Sequence, residues 1–322
     1  MRIGYKLFAE GYSPREIVRQ AERAEEVGFD FVEISDHFHP WLYSHGHSGF
    51  VWSLLAAVAT RTARIELATG VTCPFLRYHP AIVAQASATT ALLCDGRFTL
   101  GLGAGERLNE HVVGKGWPAV GERHEMLRES VEIIRLLWSG GYHSFEGKHL
   151  RLEDAQVFDL PDTPPRIAIA TGGPDSATLA AEHGDAIFAT EPRPDLVSAY
   201  GASGGDGARY VEVPLSWASD ESTALRSARA MFRFSVPGWK VMAELPNPVN
   251  FEAATELVSE DDMATLFGYG PDAADHLAVA QRFVDAGFDH LALVNAGPDP
   301  DGFFDFFAKE LDEPIRTLTP SG

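Results

Sequence analysis

The sequence predicts a (β/α)8 TIM barrel, an α/β fold, on three observations: eight short apolar runs of strand length, helical periodicity between them, and a junction of helix, glycine and strand that occurs three times. The runs lie at about 3–7, 30–35, 65–71, 98–104, 166–171, 186–190, 210–216 and 290–295. Near-continuous apolar runs of this kind suit parallel strands buried on both faces. Ile17, Ala21 and Ala24 mark the inner face of a first helix, and Leu127, Val131, Ile134 and Trp138 that of a long one near the middle. The junctions are VGFDFV (27–32), HGDAIF (183–188) and AGFDHL (286–291), where a glycine past the last helical turn can take the left-handed cap conformation. Eight strands separated mostly by helices favour the closed barrel over a doubly wound sheet.

With 322 residues, 45% of them hydrophobic, the chain can bury one large core, and residues 1–322 are read as a single barrel domain with two insertions. The stretch near 140–165 reads as a hairpin followed by a proline-rich connection. The one near 236–270 opens with Pro237, Pro246 and Pro248 and carries the acidic run Glu260, Asp261 and Asp262. In a barrel such a segment is expected over the catalytic mouth. Arg193 to Ala208 is short and glycine-rich, so the helix between the sixth and seventh strands is expected to be stunted or absent.

Composition narrows the partners. The start, MRIGYKLFAEGYSPREI, has no apolar stretch behind a basic segment, and no later run approaches the length that crosses a bilayer, so a cytoplasmic chain without membrane contact is expected. A formal net charge of −20 repels phosphate backbones, and no basic run offsets it, so nucleic acid is not an expected partner. Cys73 and Cys94 are too few for a disulfide framework and read as reduced core thiols.

Barrel enzymes place their chemistry where strands end, so those positions supply the candidates. The second strand delivers SDHFHPW (35–41), in which His37 is a natural general base because imidazole titrates near neutrality. Asp36 and His37 face opposite ways in a regular strand, so one of them points at a ligand unless the chain has turned. His39, His45 and His47 in the same loop raise a metal-dependent hydrolase as an alternative. No carboxylate or imidazole follows at helical spacing, so no metal is expected.

The fourth strand runs through Gly101, Gly103, Ala104 and Gly105 to Glu106 and Asn109. Its glycines strip one face of side chains and would let a flat ring or a phosphate approach the backbone. The spacing does not match the dinucleotide fingerprint. Glu106 stands where a carboxyl group can exchange a proton with a substrate oxygen, or where it can simply cap the next helix. The third strand ends in ATGVTCP (68–74) and the fifth in ATGGPD (170–175); there Gly172 and Gly173 precede a helix whose first amides could hold a phosphate.

Five stretches, SDHFHPW (35–41), TGVTCP (69–74), RYHPAIVAQ (77–85), GRFTLGLGAGERLNEH (96–111) and ATGGP (170–174), together with the late DAGFDHLALVNAGPD, resemble the luciferase-like (bacterial luciferase) superfamily. Within it they are similar to the branch that uses the deazaflavin coenzyme F420, and there to the glucose-6-phosphate dehydrogenase-like family. The resemblance implies hydride transfer between the deazaflavin and a small alcohol, sugar or carbonyl compound, by a homodimer. It implies His37 as the base, Trp41 beside it stabilising the charged intermediate, and Glu106 as proton donor to the cofactor. Asp36, Gly70, Val71, Ala104, Asn109, Ala170, Thr171, Gly172 and Gly173 match positions that line the deazaflavin site, with Gly105 among them. A non-prolyl cis peptide between Gly70 and Val71, forming a bulge behind the ring, is implied as well.

For the sugar phosphate the nearest basic candidates are Arg193 and Lys240, while Leu266 stands at a third position of that kind. Losing a charge-assisted partner costs a phosphate ligand roughly a few kcal/mol, so an uncharged substrate is expected in place of glucose 6-phosphate. An FMN-dependent monooxygenase of the same superfamily and a barrel that binds a flavin without turnover are the alternatives.

Overall fold

A computed structural model describes residues 1–321. Eight parallel strands form the barrel: β1 (Arg2–Leu7), β2 (Phe31–Ile34), β3 (Glu66–Thr69), β4 (Phe98–Leu102), β7 (Arg166–Ala170), β8 (Ala186–Ala189), β9 (Arg209–Ser216) and β11 (His290–Asn295). They pair in that order, and β11 returns to β1, so the sheet closes on itself. Each coincides with one of the eight predicted runs. Between β4 and β7, β5 (His143–Glu146) and β6 (Arg151–Ala155) make the predicted hairpin. A two-residue β10 (Gly268–Tyr269) extends the end of β9.

The helices pack outside the ring. They are α1 (Pro14–Val27), α2 (Val51–Arg61), α3 (Pro80–Leu93), the single turn α4 (Arg107–Glu110), α5 (Val120–Trp138), α6 (Pro174–His183), α7 (Pro194–Ala202) and α8 (Glu221–Phe232). In α1 Ser13 caps the start, Ile17, Ala21 and Ala24 face inward as predicted, and Gly28 ends the helix at φ 98°. Between α8 and β11, α9 (Trp239–Met242), α10 (Pro248–Ala254) and α11 (Glu260–Leu266) precede α12 (Ala273–Asp285), and α13 (Pro300–Phe306) and α14 (Asp312–Arg316) finish the chain. None of the helices among the described residues is long and apolar enough to cross a membrane.

Two expectations need correction. The helix between the sixth and seventh barrel strands is present: α7 buries Leu196 and Tyr200, one turn apart. The glycines that suggested its absence wrap its end, since a Cβ on Gly205 would meet the Tyr200 ring at 2.3 Å and one on Gly207 the Asp185 carbonyl at 1.8 Å. Of the three helix-to-strand glycines, Gly184 is not left-handed (φ −99°), unlike Gly28 and Gly287. It is a close-approach glycine, whose Cβ would lie 2.9 Å from the Ala180 carbonyl oxygen. Cys73 and Cys94 are buried and unpaired.

Candidate active site

His37, Gly70, Ala104 and Thr171 follow β2, β3, β4 and β7, which are consecutive around the ring, so the predicted residues share one arc of the C-terminal rim. His37 is buried, and its Nδ1 lies 2.8 Å from Oε1 of Glu10, which follows β1 and has no exposed surface. The contact is an ion pair when His37 carries its proton. Burial opposes the charged form of His37, but the carboxylates of Glu10 and Glu106 reverse this and raise its pKa. Burial would likewise raise Glu10; the His37 charge, with Lys6 behind it, holds it down to about 2.

Around His37 the walls are aromatic. Trp41 meets its ring edge to face at 4.7 Å and stacks on Phe234 at 4.8 Å. Phe251 and Trp239 close two further sides. Both belong to the second insertion, which therefore lies over the mouth as predicted, and the indole N–H of Trp239 ties it to the Thr190 hydroxyl beyond β8 (2.6 Å).

Asn109 joins the two proposed proton carriers. Its buried Oδ1 accepts from the amides of Phe38 (2.9 Å) and His39 (3.1 Å), while Nδ2 donates to Glu106 Oε2 (3.4 Å). The loop carrying His37 and the cap residue of α4 are thus held together. Asp36 faces away from this point: its carboxylate accepts from the Thr72 hydroxyl (2.8 Å), Arg77 (2.9 Å) and the Tyr78 hydroxyl (3.0 Å). Arg77 also approaches Glu110 at 3.6 Å, whose carboxyl is pushed up to about 7 by burial, partly opposed by Arg77 itself.

The Gly70–Val71 peptide is cis, as the resemblance implies. Thr69 and Thr72 both bond to Gly101 in β4, so Gly70 and Val71 bulge from the ladder. This alters the reading of the fourth strand's glycines. A Cβ on Gly101 would sit 1.9 Å from the Thr69 carbonyl oxygen, one on Gly103 2.7 Å from Val71, and one on Gly105 2.9 Å from Cys73. That stripped face admits the neighbouring strand end, not a ligand.

Beneath the bulge lies a buried charged group that sequence reasoning missed. Lys6 in β1 donates to the Gly70 carbonyl (3.0 Å) and pairs with Glu212 of β9 (2.6 Å) and Glu33 of β2 (3.4 Å). A signal was available, because each of the three is a charged residue set among apolar neighbours inside a strand run. Glu10, Arg77 and Glu110 were missed as well.

On the far side of the arc, a Cβ at Gly172 or Gly173 would have nothing within 4 Å. Both amides reach the Ser176 hydroxyl (3.1 and 3.2 Å). Arg193 lies beside them, donating to the Gly172 carbonyl (3.0 Å) and pairing with Asp195. Lys240 is exposed on α9, and Leu266 packs against the aromatic cluster around Trp41. No cluster of His, Cys, Asp and Glu fit for a metal occurs among the described residues.

The luciferase-like monooxygenase family model matches residues 1–294. The chain belongs to that family. It is 35% identical to an F420-dependent glucose-6-phosphate dehydrogenase of Amycolatopsis mediterranei (strain U-32), over 99% of both chains. It is 36% identical, with the same coverage, to one of Mycobacterium avium (strain 104). Among solved structures, an F420-dependent secondary alcohol dehydrogenase in complex with an F420-acetone adduct superposes with a TM-score of 0.90 at 30% identity, covering 98% of each chain. An FMN-bound type II Baeyer-Villiger monooxygenase, 21% identical with a TM-score of 0.71, shares the fold.

Proposed function

We propose that this protein is a coenzyme F420-dependent oxidoreductase of the cytoplasm that passes hydride between the deazaflavin and a small, uncharged alcohol, sugar or carbonyl compound. The observation that carries the reading is the buried Glu10–His37 pair set on the same rim as Glu106, with relatives that use F420 across 99% of their length. The residues fit a flat ring: the bulge at Gly70 and Val71 offers a floor, and Gly172 and Gly173 leave open space. Gly70, Val71, Ala104, Ala170, Thr171 and Gly172 would hold the cofactor, which when bound supplies a carbon that accepts or gives up a hydride.

In alcohol oxidation His37 takes the hydroxyl proton, and the Glu10 carboxylate stabilises the imidazolium that results. In carbonyl reduction the same imidazolium returns the proton. Trp41 and Phe234 exclude water around the reacting carbon, and the Glu106 carboxyl oxygen is placed to exchange a second proton. Asn109 keeps both carriers in register. Arg193 is engaged by Asp195 and Gly172, and Leu266 adds apolar surface, which is why an uncharged substrate is preferred to glucose 6-phosphate.

Titration of the purified protein with coenzyme F420 and with FMN, read by fluorescence quenching, tests the cofactor. Saturation by F420 well below any FMN binding is expected; preference for FMN would end the proposal. Light scattering tests the homodimer that the reading carries.

Glu10 supplies a prediction of its own. Its charge raises the His37 pKa, so Glu10→Gln should lower that pKa and move the acid limb of kcat/KM for alcohol oxidation to lower pH. The rate above the limb should fall as well, because the imidazolium loses its counter-ion. A pH profile from 4 to 9 on both proteins measures it, and an unmoved limb contradicts the assignment.

A further inference from the structure

The mechanism above leaves the charged group under the bulge without a role, although a lysine so enclosed is a costly thing to keep in a barrel core. Lys6 is 5% exposed and Glu33 fully buried. Their contacts all converge on one backbone feature: a Cβ on Gly70 would lie 3.3 Å from Lys6 Nζ, 3.2 Å from the Glu33 carboxyl carbon and 3.3 Å from the Phe188 ring. Gly70 thus sits directly on the cluster, its N–H bonded to the Ile34 carbonyl (2.9 Å) and its carbonyl to Lys6 (3.0 Å).

We infer that Lys6 is a positioning residue of this active site: from inside the barrel its ammonium holds the Gly70 carbonyl in the ring's floor, and on the strand that leads to Glu10 it brings a buried positive charge to the Glu10–His37 pair. This deepens the proposed function and rests on His37 as the base. The groups facing His37 are Glu10 beyond β1, Glu106 at the start of α4, Lys6 in β1, and His45 in the turn Tyr43–His45. Those facing Lys6 are Glu212 in β9, Glu33 in β2 and Glu10. Burial pushes Glu33 toward its protonated form, and burial alone would lower Lys6, but the Glu212 carboxylate at 2.6 Å reverses that and keeps it charged. His45 has its pKa lowered to about 4 by burial and so stays neutral. Two carboxylates therefore raise His37 from the rim, and Lys6 is the cation that opposes them.

Three variants, Lys6→Met, Lys6→Arg and Glu212→Gln, test this through F420 affinity and the pH profile of kcat/KM. Lys6→Met should weaken F420 binding by about tenfold, the order of one lost charge-assisted hydrogen bond. It should also move the acid limb to higher pH, by up to about one unit, because a cation that disfavours imidazolium has gone. Lys6→Arg keeps the charge and should return the limb toward its wild-type position, which a merely structural role would not require. Should Lys6→Met not fold, Glu212→Gln carries the test with the opposite sign: Lys6 loses its 2.6 Å counter-ion, and the limb should move to lower pH. A limb that stays put in every folded variant, or wild-type F420 affinity in Lys6→Met, overturns the proposal. A limb that survives in His37→Ala instead refutes His37 as the base, and the affinity measurement then decides the role of Lys6 by itself.

Discussion

Replacing His37 by alanine should lower kcat by about 10²- to 10⁴-fold, the range supplied by a positioned general base, while the dissociation constant for F420 stays within a few-fold of wild type. The separation follows from position. His37 stands on the loop after β2 with its partner Glu10 behind it, whereas the proposed floor, Gly70 and Val71, and the open loop at Gly172 and Gly173 belong to other strand ends. Steady-state kinetics and fluorescence titration on one preparation measure both quantities. Near-normal turnover would mean that another group takes the proton. A large loss of F420 affinity would mean that the imidazole contributes to holding the ring.

The second large effect concerns stability. Gly101→Ala places a methyl group 1.9 Å from the Thr69 carbonyl oxygen and 3.0 Å from Val71. Both obstacles are backbone or tightly held against it, so neither can swing aside. The strands β3 and β4 must separate locally, breaking the paired bonds between Thr69 and Gly101 (2.8 Å each). A loss of about 3 kcal/mol or more is expected, at or above the upper end of ordinary overpacking costs. Thermal unfolding should show a Tm lowered by several degrees, with F420 affinity falling alongside because the bulge is displaced. An unchanged Tm would show that Gly101 is not filled by its neighbour strand.

Most of this was legible in the residues. The eight strands could be placed because runs such as AIFA and HLALVN are near-continuously apolar, which suits parallel strands buried on both faces. His37, Glu106 and the glycine loops could be placed because they follow those runs directly. The charged cluster could not be read in the same way. Lys6, Glu33 and Glu212 lie far apart in sequence, and only closure of the ring brings their strands to one axis. Glu10 has the same history: nothing near position 37 announces it, and the ion pair exists because β1 and β2 are neighbours. Glycine was the other source of error. The residue has two uses, positive φ and close approach, and the sequence does not distinguish a space kept for a ligand from one kept for the chain. At Gly101 and Gly103 the occupant is Thr69 and Val71; at Gly172 the space is open.

The tie between Trp239 and Thr190 bears on how catalysts of this kind could be altered. The proposed floor is fixed by bonds from Lys6, Thr69 and Thr72, so a change there disturbs the barrel strands themselves. The aromatic roof belongs largely to a segment outside the eight barrel strands, tied to the rim by the Trp239 indole and by the Arg107 N–H on the Ala243 carbonyl (3.0 Å). Libraries aimed at bulkier or differently shaped alcohols therefore belong in Phe234 and Phe251, where a change of volume reshapes the chamber and leaves the Trp239–Thr190 tie in place.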